Sequence, residues 1–446
     1  MVSIAEKSDI SELKVSYINL GNKLFLLGVF FLPSALPIAG FFLIISLIIS
    51  FSRRKYFIFK DKWNYPLFLC IGIIFFSCIN ISFINQSKFL NNYDINLIWL
   101  NLFNWIPIFI LFWGFQYYLI NQIQRIRFAQ FLVSGTFPVI LSFIFQEYSN
   151  WSGPHRTLYG LIVWFQRPLC NDFNICSTAL SGLFSNPNYA GMWLVLVLPF
   201  SFYLLRKASK SFLENLIKSI FCFSIFYMSY LTGSRNALIG LLISILIFFG
   251  FRKSILISIF LSFTLLAGNI IFTFFGFPNS FLLNNSTIQK ILEFNFFAMP
   301  RIEIWMSALS RIHLRPILGW GPSTFSYLHY AKNDAFVIPK SIVKASHSHN
   351  ISLELAHNFG IPLAIIITAT IIIFLFIGFK SVYLKKDNND SLILNKAWFA
   401  SSLIIFITHL SDITLYDGKI GILISIIFSG LRCIINEKSN NLNQEL

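Results

Sequence analysis

Two histidines stand two residues apart in Ser346-His347-Ser348-His349-Asn350. An imidazole can take a proton near neutral pH, so His349 reads as a candidate base, with His347 and Asn350 beside it as candidate substrate-binding groups. The pair could also ligate a metal, but no Cys or carboxylate cluster in the nearby sequence completes a ligand set. The plain alternative is a surface histidine without chemistry. Upstream, Leu231-Thr232-Gly233-Ser234-Arg235-Asn236 is a tight turn in which Arg235 opens the next helix. A cation at that positive end is unfavourable and calls for an anion nearby; otherwise the side chain snorkels to headgroups.

A third group is Arg301-Ile302-Glu303-Ile304-Trp305, leading to Arg315-Pro316-Ile317-Leu318-Gly319-Trp320-Gly321-Pro322. The first part predicts a short amphipathic helix over 301–312, with Arg301, Trp305 and Ala308 on one face; Gly319 and Gly321 permit a tight turn. Arginine suits phosphate because its planar fork donates two hydrogen bonds at once. Arg156 and Arg167 are further cationic candidates, and Asp412 and Asp417 are secondary ones. In Ser185-Asn186-Pro187-Asn188-Tyr189-Ala190-Gly191, Asn186 can cap a helix and Pro187 suits its first turn.

The elements that must position these residues follow from composition. Of 446 residues, 56% are hydrophobic and 12% charged, and mean hydropathy is +0.69. A soluble chain this apolar could not cover its surface with polar groups. The composition excludes a disordered protein, a disulfide scaffold and an ordinary cytosolic enzyme. Runs such as 238–250 and 363–379 lack the alternation of a barrel strand and suit helices in lipid. The expected fold is all-α and polytopic, with about twelve transmembrane helices: 17–33, 35–51, 66–83, 97–119, 128–146, 188–205, 219–232, 236–251, 254–275, 350–379, 397–411 and 419–436. A tight hairpin is expected between Pro33 and Pro37. No cleavable signal peptide is expected.

Formal net charge is +16. In a soluble protein that would suggest nucleic acid; here the cations fix topology. One set of loops, with both tails, holds 22 of the 34 Lys and Arg residues, which makes that side cytoplasmic and the opposite side external. The expected organisation is a bundle over 1–275 with an external loop at 147–187, a large external loop at 276–349, further spans over 350–436 and a cytoplasmic tail at 437–446. Loop 276–349 departs from the charge bias, with seven Lys and Arg against three Asp and Glu. That surplus marks a site for an anionic ligand at the membrane surface, or contact with lipid headgroups. Cys170 and Cys176 share the first external loop, where an oxidising compartment would allow a disulfide.

Five of these motifs, in order on one membrane face, resemble the O-antigen ligase family, which includes O-antigen polymerases and protein O-oligosaccharyltransferases. The resemblance rests on the Asn-Pro-Asn entry at 186–188, the Thr-Gly-Ser-Arg turn at 232–235, Arg301-x-x-x-Trp305, Pro316-x-x-Gly-Trp-Gly321, and above all His349-Asn350, nine residues, then Gly360. It implies a membrane glycosyltransferase of the GT-C type, inverting and independent of metal or other cofactor. It implies a donor glycan on undecaprenyl diphosphate at the periplasmic face of a bacterial inner membrane. The implied acceptor is lipid A core, a growing glycan or a protein. By that likeness Arg235 and Arg301 face the departing diphosphate and His349 is the base. A small-anion transporter is the rival reading; the lack of charges at mid-helix counts against it.

Overall fold

The computed structural model describes residues 19–53, 59, 61–84, 90, 93–149, 153–160, 162–164, 179–207, 209, 211–253, 256, 300–330, 345–383 and 389–445. Apolar runs in this chain become helices because a helix pairs each backbone group within its own segment. In chain order these are α1 (Asn19–Phe31), α2 (Leu36–Arg53), α3 (Lys62–Phe83), α4 (Asn96–Tyr118), α5 (Gln122–Tyr148), α6 (Pro187–Arg206), α7 (Phe212–Leu231) and α8 (Arg235–Phe249). After them come α9 (Pro300–Leu314), α10 (Thr324–Tyr330), α11 (Ile351–Phe359), α12 (Ile361–Tyr383), α13 (Asn389–His409) and α14 (Gly418–Glu445). A two-stranded antiparallel hairpin, β1 (His155–Thr157) and β2 (Ile162–Trp164), pairs His155 with Trp164.

The chain is an all-α polytopic membrane protein. Among the described residues nine helices are long and apolar enough to cross a membrane, and α1 and α8 are shorter apolar helices. The expected hairpin forms: α1 ends at Phe31, whose carbonyl accepts from the Ser34 and Ala35 amides at 3.1 and 2.8 Å, and α2 starts at Leu36. The expected span over 254–275 lies, except for Leu256, outside the described residues. One expectation needs correction. The segment 350–379 is not a single span, because Gly360 breaks it into α11 and α12.

Helix α6 is the axis of the larger core. Every residue from Ala190 to Ser201 is buried, as expected of a helix apolar all round, and α6 packs against α7, α8 and α13. Helix α14 ties the bundle together at the end remote from the site. There the Arg432 guanidinium donates to both carboxylate oxygens of Asp61, at 2.8 and 2.7 Å, and stacks over the Trp63 ring. Buried Arg125 pairs with Glu437 at the same end.

A second core holds α9–α11 against the bundle. Ile304 and Ala308 of α9, Leu355 and Phe359 of α11, Ile74 of α3 and Trp105 of α4 share it. Within it, a backbone clasp fastens the turn after α9 to the end of α11. The Trp320 amide donates to the His357 carbonyl at 2.8 Å, Gly321 to Asn358 at 2.9 Å, and Ile361 to Pro316 at 2.7 Å. Gly360 is required there for two reasons. Its φ is +94°, and a Cβ on it would lie 1.9 Å from the Ile317 carbonyl oxygen. The spacing from His349 to Gly360 thus measures the length of α11 up to the clasp.

Gly360→Ala is expected to destabilise the protein by about 3 kcal/mol or more, combining a left-handed φ with a backbone collision. Gly72→Ala, whose Cβ meets nothing within 4 Å, serves as the control. Thermal unfolding of both variants in detergent checks this; equal midpoints would contradict the account of the clasp.

Candidate active site

Capping residues set the local geometry at one end of the bundle. Asn186 caps α6 by accepting from the Asn188 amide at 2.8 Å, and Pro187 occupies its first turn, as the sequence predicts. Ser234 caps α8, accepting from the Ala237 amide at 3.4 Å, so Arg235 is the first helical residue and points from the positive end of the dipole. The two turns interlock: a Cβ on Gly191 would meet Thr232 Oγ1 at 2.9 Å. Asn350 caps α11 by accepting from the Ser352 and Leu353 amides, while its own amide donates to the Leu410 carbonyl at 2.9 Å. Asn350 therefore links the histidine loop to the turn between α13 and α14.

That turn carries Asp412, which is 4% exposed. Its carboxylate gathers three distant segments. Oδ1 accepts from His349 Nδ1 at 2.8 Å, Oδ2 accepts from Asn188 Nδ2 at 2.9 Å, and Arg301 approaches Oδ2 to 4.0 Å. A fourth segment lies alongside, because Ser411 Oγ donates to Asn236 Oδ1 at 2.6 Å, next to Arg235. Burial pushes the Asp412 carboxyl up, but the His349 hydrogen bond and the charges of His349, Arg301 and His347 outweigh it, so the group lies below its ordinary value and is ionised. An ionised carboxylate only accepts. His349 must therefore carry its proton on Nδ1 when neutral, which leaves Nε2 as a basic lone pair, on a side chain 25% exposed.

His347 lies against this pair, its ring centroid 4.2 Å from that of His349, and its Nδ1 accepts from the His349 amide at 3.3 Å. Burial, followed by the nearby His349, holds the His347 imidazole below its ordinary 6.5. Arg301 is pushed down by burial, drawn back by Asp412 and pushed down again by the charge of Arg235; a guanidinium so placed stays cationic. Arg301 is beyond hydrogen-bond distance of Asp412, so its donors are not taken up by that carboxylate. Arg301 faces the carboxylate, and Arg235 lies within electrostatic reach of Arg301, so two guanidinium charges are gathered here. His347, His349 and Asp412 present donor atoms within 4.8 Å of one another, a spacing that a divalent ion can use, so the carboxylate missing from the local sequence is supplied by the fold. The neighbouring guanidinium groups oppose a dication there.

The structure thus brings Arg235, Arg301, His347, His349 and Asn350 to one end of the bundle. The groups gathered around Asp412 do not include Arg315 or Arg156. Arg315 lies over the Trp320 ring at 4.6 Å, beside the clasp, and Arg156 is exposed on β1. Arg167, Cys170 and Cys176 lie outside the described residues, as does most of the expected external loop 276–349. His313 is an exposed helix-face residue. Asp417 caps α14, accepting from the Lys419 and Ile420 amides. Asn188 and Tyr416 belong to the site region although their sequence positions signal only a helix start and a turn. Below the cluster an apolar cavity of about 180 Å³ runs from His409 and Leu415 to Trp63 and Arg432, between α3, α4 and α12–α14.

Architecture and site together define a membrane-embedded protein with a cationic, imidazole-bearing cluster at one end of its helices. Residues 220–368 match the family model described as O-Antigen ligase. The matched stretch includes Arg235, Arg301, His347, His349 and Gly360; Asn188 and Asp412 lie outside it. The chain is also similar to a "ComP-specific O-oligosaccharyltransferase" of Acinetobacter baylyi (strain ATCC 33305 / BD413 / ADP1), at 29% identity over 227 residues, which is 49% of this chain and 38% of that protein. The chain thus spans well under two thirds of that relative's length.

His347 is held below 6.5 in the folded protein, so the unfolded chain binds its proton first as pH falls. The contribution of His347 to folding stability is full above pH 6.5 and is lost as pH drops from there toward the folded value. Asp412, held below 3.8, contributes stability above that pH and loses it as pH falls further. His347→Gln is expected to make the decline below pH 6.5 shallower, the remainder coming from buried His357, which is pushed down to about 4, and to leave the lower one in place. Thermal midpoints against pH, with and without the substitution, test this; superimposable curves would contradict it.

Proposed function

We propose that the protein is a glycosyltransferase that moves a glycan from an undecaprenyl-diphosphate carrier to a hydroxyl acceptor, lipid A core or similar, at the periplasmic face of a bacterial inner membrane. The observation that carries this reading is the imidazole of His349, fixed by Asp412, with Arg301 approaching the same carboxylate and Arg235 within electrostatic reach of Arg301. The matched domain and the oligosaccharyltransferase relative support the same chemistry.

The bond between the anomeric carbon and the diphosphate oxygen breaks, and a bond from that carbon to the acceptor oxygen forms. Charge grows on the leaving diphosphate, and fixed cations stabilise it most where they need not reorganise. Arg301 and Arg235 supply them, with Arg301 free to present its fork. The acceptor hydroxyl loses its proton to His349 Nε2, and Asp412 stabilises the imidazolium that results. Attack opposite the leaving group inverts the anomeric centre. Since arginine neutralises the diphosphate, the reaction needs no divalent ion. The apolar cavity below the cluster supplies a wall for the lipid part of the donor. Both termini lie on the cytoplasmic side, in keeping with the distribution of Lys and Arg.

His349→Ala and Arg235→Ala are expected to lower transfer about 100-fold or more while membrane insertion is retained, and Arg301→Lys should fail as well, because an ammonium cannot donate in fork geometry. Wild-type transfer in all three would remove the mechanism. In a deletion strain, lipid-linked polymer accumulating above an uncapped core identifies a ligase. A core bearing one repeat unit identifies a polymerase. Loss of glycan from a protein alone identifies a protein acceptor. Unchanged glycans would return the choice to transport.

A further inference from the structure

Glu354 is the one acidic residue of α11 and is 2% exposed. Its carboxylate is fully engaged by neutral donors from three places. Oε2 accepts from the Ser348 amide at 2.8 Å, and Oε1 accepts from the Tyr416 hydroxyl at 2.7 Å and from Asn358 Nδ2 at 3.2 Å. A capping box would place the acid three residues after the cap and return it to the cap's own amide. Here the cap is Asn350, and Glu354 stands four residues after it. The carboxylate reaches past the cap to Ser348, the residue between the two histidines. Its second oxygen holds a different element, the turn that carries Asp412.

This engagement bears directly on His349, which has φ +53°. A non-glycine residue in the left-handed region costs on the order of 1 kcal/mol and persists only where its surroundings fix it. His349 is fixed on both sides: Ser348 by Glu354, and Asn350 by the Leu410 carbonyl. Tyr416 completes the bridge. Its hydroxyl stays protonated, because burial and the Glu354 charge hold it well above its ordinary value, and its ring packs on that of His347, 5.6 Å between centroids.

We infer that Glu354 is a positioning residue for transfer: by accepting from Ser348 with one oxygen and from Tyr416 with the other, it holds the histidine loop against the Asp412 turn so that His349 stays on Asp412. The inference rests on the reading of His349 as the base. Glutamine at this position has the same shape but only one acceptor atom, so it must present its NH2 to one of the two donors.

The test is a double-mutant cycle in the full chain, with an undecaprenyl-diphosphate-linked oligosaccharide as donor. Glu354→Gln is expected to lower kcat about tenfold, the effect of one lost hydrogen bond to a charged acceptor, with KM for the donor within about twofold. In an Asp412→Asn background the same substitution should have almost no further effect, because the pair it positions is already broken. An equal loss in both backgrounds, a change confined to KM, or unaltered kcat would overturn the inference. If Glu354→Gln fails to fold, Tyr416→Phe takes its place in the cycle under the same criteria. His349→Ala separates the two ideas. Loss of transfer there with an unaffected Glu354→Gln removes only the positioning role, whereas wild-type transfer by His349→Ala removes the base and this inference with it.

Discussion

The site depends on one buried carboxylate. Asp412 is the point at which the start of α6, the helix α9 and the loop before α11 meet. A carboxylate removed from water must be compensated or it takes up a proton. Compensation here comes from an amide, an imidazole and a guanidinium supplied by different parts of the chain. That requirement turns a short turn between two helices into the organiser of the whole end of the bundle, and it selects the tautomer that leaves His349 basic at its outer nitrogen.

The arrangement separates two tasks. The helix bundle, with α6 at its axis and α14 tied down through Asp61 and Arg125, is a frame whose helix starts present Asn188 and Arg235. The α9–α11 unit is mounted on α3 and α4 through its own core and presents Arg301 and His349. Each part therefore carries one guanidinium and one member of the imidazole–carboxylate pair, and these come together only where the two parts meet. Neither part by itself holds the imidazole–carboxylate pair.

Much of this was legible in the sequence. The apolar runs gave the spans, Asn186 and Pro187 the start of α6, Ser234 and Arg235 the start of α8, and the 301–312 pattern most of α9. The break at Gly360 is less legible, because apolar residues recur on both sides of it and the local signal is Gly360 two residues before Pro362. Asp412 could be read only as a secondary candidate, since a single Asp in a turn has no spacing relation to residues 63 and 224 positions away. Glu354 carries a usable sign, because an acid among the apolar residues Ile351, Leu353, Leu355 and Ala356 is seldom buried unless something engages it.

The clasp has a mechanical corollary. Helix α12 crosses the bilayer and must tilt or shift as lipid thickness varies, yet His349 is mounted on α11, on the far side of Gly360. Because Trp320, Gly321 and Ile361 fasten the junction to the turn after α9, rocking of α12 pivots about an anchored hinge rather than reaching the imidazole. The distance between the His349 imidazole and the Arg301 guanidinium is thereby insulated from the thickness of the surrounding lipid.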